Sequence, residues 1–84
     1  MDKEIEMLAG IVKYLVENED EIRIQKNEET DGSTNLILTT HKDDIGRVIG
    51  KEGKVVGAMR TLLRVLGAKL DKRITLTVIE PDKI

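Results

Sequence analysis

Two glycines three residues apart, Gly50 and Gly53, interrupt a stretch that reads as helix on both sides, and nothing else restricts the fold as tightly. Ahead of them Ile45, Val48 and Ile49 recur at helical spacing. Behind them Val55, Val56, Met59, Leu62, Leu63 and Leu66 carry the same period from near Lys54 to about Ala68. A glycine costs a helix about 1 kcal/mol relative to Ala, and it turns where a residue with a Cβ does not. Two helices meeting at a glycine-bounded corner are therefore expected. Thr40 or His41 can cap the shorter one, and Asp43 and Asp44 suit the positive end of its dipole.

The flanking segments supply the other elements. From Asp2 to Val16, Ile5, Leu8, Ala9, Val12, Leu15 and Val16 return every three or four residues, behind a possible Asp2 cap with Glu4 and Glu6 in the first turns. This is an amphipathic helix, and Met7, Ile11 and Tyr14 form a second stripe beside the first. That stripe fits either ordinary partial exposure or a neighbour. Ile22 and Ile24 alternate with polar residues, and Leu36, Ile37 and Leu38 lead into two threonines, giving two short strands. Asp31-Gly32-Ser33, within the polar stretch 27–35, has the chemistry of a turn between antiparallel strands. A last strand from Arg73 to Glu80 alternates Ile74, Leu76 and Val78 with threonines, and Pro81 ends it. The order is α-β-β-α-α-β over 84 residues, enough for one core and so one domain, 1–84.

Charge is unevenly spread. Residues 1–40 hold four basic and ten acidic side chains, whereas residues 41–84 hold ten basic and six acidic. Between Arg47 and Arg73 the basic residues Arg47, Lys51, Lys54, Arg60, Arg64, Lys69, Lys72 and Arg73 face only Glu52 and Asp71. A local basic field of this kind points to an anionic partner in spite of the net charge of −2.

The corner is the natural place for that anion. Without Cβ atoms at 50 and 53, a phosphodiester can lie close to the backbone, and the start of the following helix offers unpaired N–H groups and a positive dipole end. Lys51 and Lys54 add charge there, and Glu52 opposes them. On a helical wheel Gly57, Arg60 and Arg64 fall together beside Lys54, so a basic face starts at the loop. Gly57 either admits a nucleotide or serves helix packing.

The run Val48-Ile49-Gly50-Lys51-Glu52-Gly53-Lys54-Val55-Val56, set between two helices, resembles the signature of the KH family, and the six-element order resembles its type II arrangement. With Asp44-Ile45-Gly46-Arg47 before it and Ala58-Met59-Arg60-Thr61-Leu62 after it, the whole chain is similar to bacterial KhpA-type proteins made of a single KH domain. The resemblance implies an α+β fold with a three-stranded mixed sheet covered by helices on one face. It implies that about four nucleotides of single-stranded RNA bind at the Gly50-Lys51-Glu52-Gly53 loop, in a groove lined by Ile45, Ile49, Val56 and the last strand. Arg47, Lys54, Gly57, Arg60 and Arg64 would complete the site. It further implies a cytoplasmic RNA chaperone or post-transcriptional regulator, working as a homodimer or with a larger KH-containing protein. Glu52 departs from the basic residue found there in many members, which should moderate affinity. With no Phe or Trp, an aromatic stacking platform is missing, so sequence preference should be shallow and affinity on the order of micromolar.

Other functions find less support. There is no cysteine and one histidine, so thiolate chemistry and a histidine pair for a metal are absent, and no cofactor is expected. Asp43 and Asp44 are the best candidates for acid–base work, but neighbours on a helix point about 100° apart. No catalytic residue is assigned. No apolar run approaches the roughly 20 residues of a membrane span. A protein–protein adaptor without RNA is the alternative, and it draws on the wide apolar arc of the long helix, which includes Leu62 and Val65. Either a second chain or the first helix covers that arc.

Overall fold

The computed structural model describes residues 2–80. It contains α1 (Lys3–Leu15), β1 (Arg23–Glu28), β2 (Thr34–Thr39), α2 (Ile45–Ile49), α3 (Lys54–Lys69) and β3 (Ile74–Ile79), the expected order. Pro81, expected to end the last strand, lies outside the described residues.

β2 is the central strand, antiparallel to β1 and parallel to β3. The register sets Ile24 beside Leu38, Leu36 beside Leu76, and Leu38 beside Val78, so one face of the sheet is apolar across all three strands. The helices pack on that face: Leu8 and Val12 of α1, Val48 of α2, and Val56, Met59 and Leu63 of α3 share one core with Leu36, Leu38, Ile74 and Leu76. Burying each large aliphatic side chain contributes roughly 1.5–3 kcal/mol. The other face is mostly polar, with Ile37 and Ile79 among its residues, and Thr75 and Thr77 donate hydroxyl hydrogen bonds to the Asn35 amide oxygen across the strands.

Several local expectations are corrected. The β1–β2 connection is shorter than the polar stretch 27–35 suggested. Asn27 pairs with Asn35 and Glu28 with Thr34, and the Thr34 hydroxyl donates to Glu28 at 3.0 Å, so the ladder extends into polar sequence. Asp2 stands before α1 but its side chain caps nothing; the carboxylate takes the Lys26 ammonium at 2.9 Å. Glu4, expected in the first turns of α1, is there and is buried in line with Leu8 and Val12. It accepts from Lys72 Nζ at 2.5 Å and lies 3.3 Å from Lys26 Nζ, which ties α1 to β1 and to the turn before β3. Burial pushes the Glu4 carboxyl up, but the hydrogen bonds from Lys72, a backbone N–H and Lys26 together outweigh it and hold it below its ordinary value. Its contribution to stability is therefore present above the ordinary glutamate pKa and lost as pH falls through the lowered one.

After α3 the chain reverses sharply. The Lys72 N–H donates to the Gly67 carbonyl at 2.8 Å, and a Cβ on Gly67 would stand 2.5 Å from the Lys72 carbonyl oxygen. This close turn lays β3, an edge strand, back along α3.

Candidate nucleic-acid interface

α2 ends because Gly50 adopts φ 78°, ψ 172°, a conformation essentially restricted to glycine. Its N–H still donates to the Gly46 carbonyl at 2.8 Å, closing α2. Residues Lys51–Gly53 make one tight 3-10 turn, in which Glu52 (φ 57°) and Gly53 (φ 75°) are left-handed, and α3 starts at Lys54. Gly53 has no side chain with which to cap this 16-residue helix, so no N-cap side chain accepts from its first-turn amides, and the Lys54 N–H donates to the Lys51 carbonyl. Lys51, Glu52 and Lys54 are exposed around them. The Glu52 carboxylate lies 3.8 Å from Lys54 Nζ, within reach of the cation that would meet a phosphate.

The other expected residues divide into groups. Arg60 and Arg64 are exposed on α3, and Arg60 Nε donates to the Leu76 carbonyl on the edge of β3 at 3.3 Å. Gly57 lies between the loop and Arg60, and nothing approaches within 4 Å of where its Cβ would be. Helix packing thus does not account for this glycine. Ile45 and Ile49 are half-buried, and Val56 belongs to the core. Arg47 is held elsewhere, donating to Glu17 at 2.6 Å and to Asp44 at 3.0 Å.

Asp44 has a structural role larger than that of a first-turn acid. Fully buried, it accepts from the Glu17 and Asn18 backbone N–H groups and from the Asn18 side-chain amide, securing the segment after α1 against α2. Burial pushes its carboxyl up, but those hydrogen bonds and the Arg47 charge prevail and hold it below the aspartate range. His41 caps the turn Lys42–Asp44, its Nδ1 accepting from the Asp43 N–H at 3.0 Å. Among the described residues, no group of three or more His, Asp or Glu side chains is placed to hold a metal ion.

The last strand, expected to line the groove, brings Arg73, Thr75 and Leu76 toward α3. With Arg60, Arg64 and Ile74 they line a hollow of about 440 Å³ between α3 and β3. That expectation named the strand and not its residues; the position of Arg73 opposite Arg60 and Arg64 comes from the reversal of the chain after α3.

On the far side of α3, Leu62 is 46% and Val65 64% exposed, whereas Leu66 is half-buried where α1 approaches. Of the second stripe of α1, Met7 and Ile11 pack against the core and Tyr14 is 92% exposed. The first helix therefore covers only part of the wide arc. No helix among the described residues is long and apolar enough to cross a membrane.

Comparison with known proteins agrees with this architecture. The chain is 45% identical over 75 residues to the RNA-binding protein KhpA of Listeria monocytogenes, covering 89% of this chain and 97% of that protein. It is 39% identical over 77 residues to the RNA-binding protein KhpA of Borreliella burgdorferi, covering 92% and 93% respectively. To that of Aquifex aeolicus it is 36% identical over 70 residues, covering 81% and 85%. The family model described as the KhpA/KhpB KH domain matches residues 5–78, and the chain belongs to this family.

Proposed function

We propose that this protein binds short single-stranded RNA at the Gly50–Gly53 loop and acts in the cytoplasm as an RNA chaperone or post-transcriptional regulator. The observation that carries the reading is the start of α3, which Gly53 leaves without a side-chain cap behind two positive-φ glycines and which exposed Lys51 and Lys54 flank. The names of the relatives support the same class of partner. If two to four phosphates are neutralised by Lys51, Lys54, Arg60 and Arg64, log K for a short strand falls with log salt at a slope of roughly −1.4 to −2.8, about 0.7 per phosphate. Fluorescence anisotropy with a labelled oligonucleotide over a salt series measures it. A slope near zero would remove the electrostatic basis of the reading.

A second chain is the proposed cover for Leu62 and Val65, either another copy or a larger KH-containing protein. Pairing compensates for a small groove, because two linked sites bind one strand at raised effective concentration. Val65→Glu is expected to halve the mass seen by light scattering, to preserve the circular dichroism spectrum, and to weaken RNA binding. Leu62 is a poorer position for this test, since it lies nearer the core and burying a charge there costs several kcal/mol. A wild-type protein already monomeric at tens of micromolar would rule out the homodimer, leaving the larger partner.

A further inference from the structure

We propose that Asp44 and Arg47 are positioning residues for RNA binding: together they fix α2 and, through it, the glycine loop, and neither touches the strand. The inference rests on the RNA-binding reading of the loop and adds to it what holds the loop in place.

α2 cannot keep its position unaided. It has five residues, and a helix shorter than about 12–15 residues depends on tertiary contacts. Val48, fully buried, pins its middle to the core, and its far end runs directly into Gly50. Asp44 fixes the near end. An aspartate at the N-cap commonly accepts from N–H groups of its own helix, yet Asp44 stands at that position of α2 and makes no such bond. Its carboxylate is turned to the chain that leaves α1. Oδ1 accepts from the Glu17 N–H at 3.1 Å and from Arg47 at 3.0 Å, and Oδ2 accepts from the Asn18 N–H and the Asn18 side-chain amide, both at 3.0 Å. These donors fill the roughly four acceptor sites that a carboxylate offers. Buried Val16 directly precedes Glu17, so the brace is fastened to the core.

Arg47 completes the brace from outside. Ile45 and Ile49, four residues apart, share the side of α2 expected to line the groove. Arg47 is two residues from each, about 200° around the helix. Its guanidinium spans two carboxylates, Asp44 at 3.0 Å and Glu17 at 2.6 Å. An arginine so occupied, on the side away from the groove, serves the strand through Asp44 and not by contact.

The loop is at the end of this lever. Gly50 follows Asp44 by six residues, about 9 Å at 1.5 Å per residue. With Val48 as the pivot, an unfastened Asp44 end lets α2 swing and carries Gly50 away from the start of α3. Affinity then falls in proportion to the fraction of molecules whose loop is correctly set.

The test compares Arg47→Gln and Asp44→Asn with wild type, after circular dichroism and melting curves have confirmed the fold. A labelled ten-nucleotide oligouridylate is titrated over a salt series well below the melting temperature, and amide hydrogen exchange is followed on the same proteins. If the loop is set in about one molecule in five, Arg47→Gln binds about 5-fold more weakly. Its salt slope should equal that of wild type, because no phosphate contact is lost. Asp44→Asn should bind more weakly still, although it removes a negative charge, because its amide nitrogen meets donors where the carboxylate accepted. Exchange at the Gly50 and Gly53 amides should quicken while that of Leu36 and Leu38 in the central strand does not. A slope flatter by about 0.7 in Arg47→Gln would make Arg47 a phosphate contact, and tighter binding by Asp44→Asn would leave its charge acting only through the field. Unchanged affinity or unchanged loop exchange in the folded variants would reduce the brace to a matter of stability. Each of these would overturn the proposal. Should Asp44→Asn fail to fold, Arg47→Gln decides alone, its side chain being half-exposed. Wild type that binds no RNA is a different result, and it would sink the RNA-binding reading and the positioning role with it.

Discussion

Replacing Lys51 and Glu52 together by Asp is expected to abolish binding of a short single-stranded RNA in a mobility-shift assay while the melting temperature hardly moves. Both side chains are exposed, neither belongs to the core, and the one pair disturbed is the solvated Glu52–Lys54 contact, worth about 0–1 kcal/mol. Glu52 is left-handed at φ 57°, a region Asp tolerates better than Glu, so the backbone is not made worse. The electrostatic change falls entirely on the anion. Lys51 changes from +1 to −1 beside the start of α3, which removes one phosphate contact and adds a repulsion of similar size. Two increments of about 0.7 in the salt slope correspond to about 25-fold at 0.1 M salt, before any closer repulsion is counted. Binding that starts on the order of micromolar would then leave the range of the assay. A variant that shifts RNA normally would show that the loop is not the phosphate site, and the adaptor reading would take its place.

The elements were legible because their apolar patterns are strong: every three or four residues along α1 and α3, alternation at Ile22 and Ile24 and along β3, and the apolar run Leu36-Ile37-Leu38 in β2. Gly50 and Gly53 gave the corner, since glycine breaks an apolar helical repeat and no proline stands between 45 and 68. What escaped notice depended on contacts distant in sequence. Glu4 stands four residues before Leu8 and eight before Val12, so its place on the buried stripe was readable. Its acceptance there depends on Lys72, 68 residues away, and on Lys26, which one sequence does not bring together. Asp44 was hidden in the same way by backbone donors at positions 17 and 18. Those contacts also explain Arg47. A basic residue three positions from a buried carboxylate is drawn to it, and a wheel or a charge count treats that arginine as free. The sequence likewise carries Arg73 as one more cation of a basic stretch, although the reversal at Gly67 sets it across from Arg60 and Arg64. Strands running into polar residues at 27–28 and 34–35 show the same limit, because ladder pairing is decided by the partner strand.

The two loop glycines are expected to differ sharply in what they tolerate. At Gly50, φ 78° with ψ 172° costs a residue with a Cβ about 1–3 kcal/mol. That Cβ would also overlap the Val55 side chain and come within 2.8 Å of the Val55 backbone nitrogen, so the first turn of α3 has to move. Overpacking of this kind costs a further 1–3 kcal/mol. Against the 5–15 kcal/mol that holds a typical domain together, Gly50→Ala is a severe change. At 4–8 °C per kcal/mol for a domain of this size, its melting temperature should fall by at least about 10 °C. Gly53 is also left-handed, at φ 75°, ψ 15°, but the nearest atom to its added Cβ is 4.0 Å away, so only the backbone term of about 1–2 kcal/mol applies. Asn enters that region readily, and Gly53→Asn should melt close to wild type. Differential scanning calorimetry should therefore rank Gly53→Asn above Gly53→Ala and Gly53→Ala well above Gly50→Ala. A Gly50→Ala protein melting within two or three degrees of Gly53→Ala would mean that Val55 moves aside at little cost. The corner between α2 and α3 would then be held by its neighbours and not by the missing side chain at position 50.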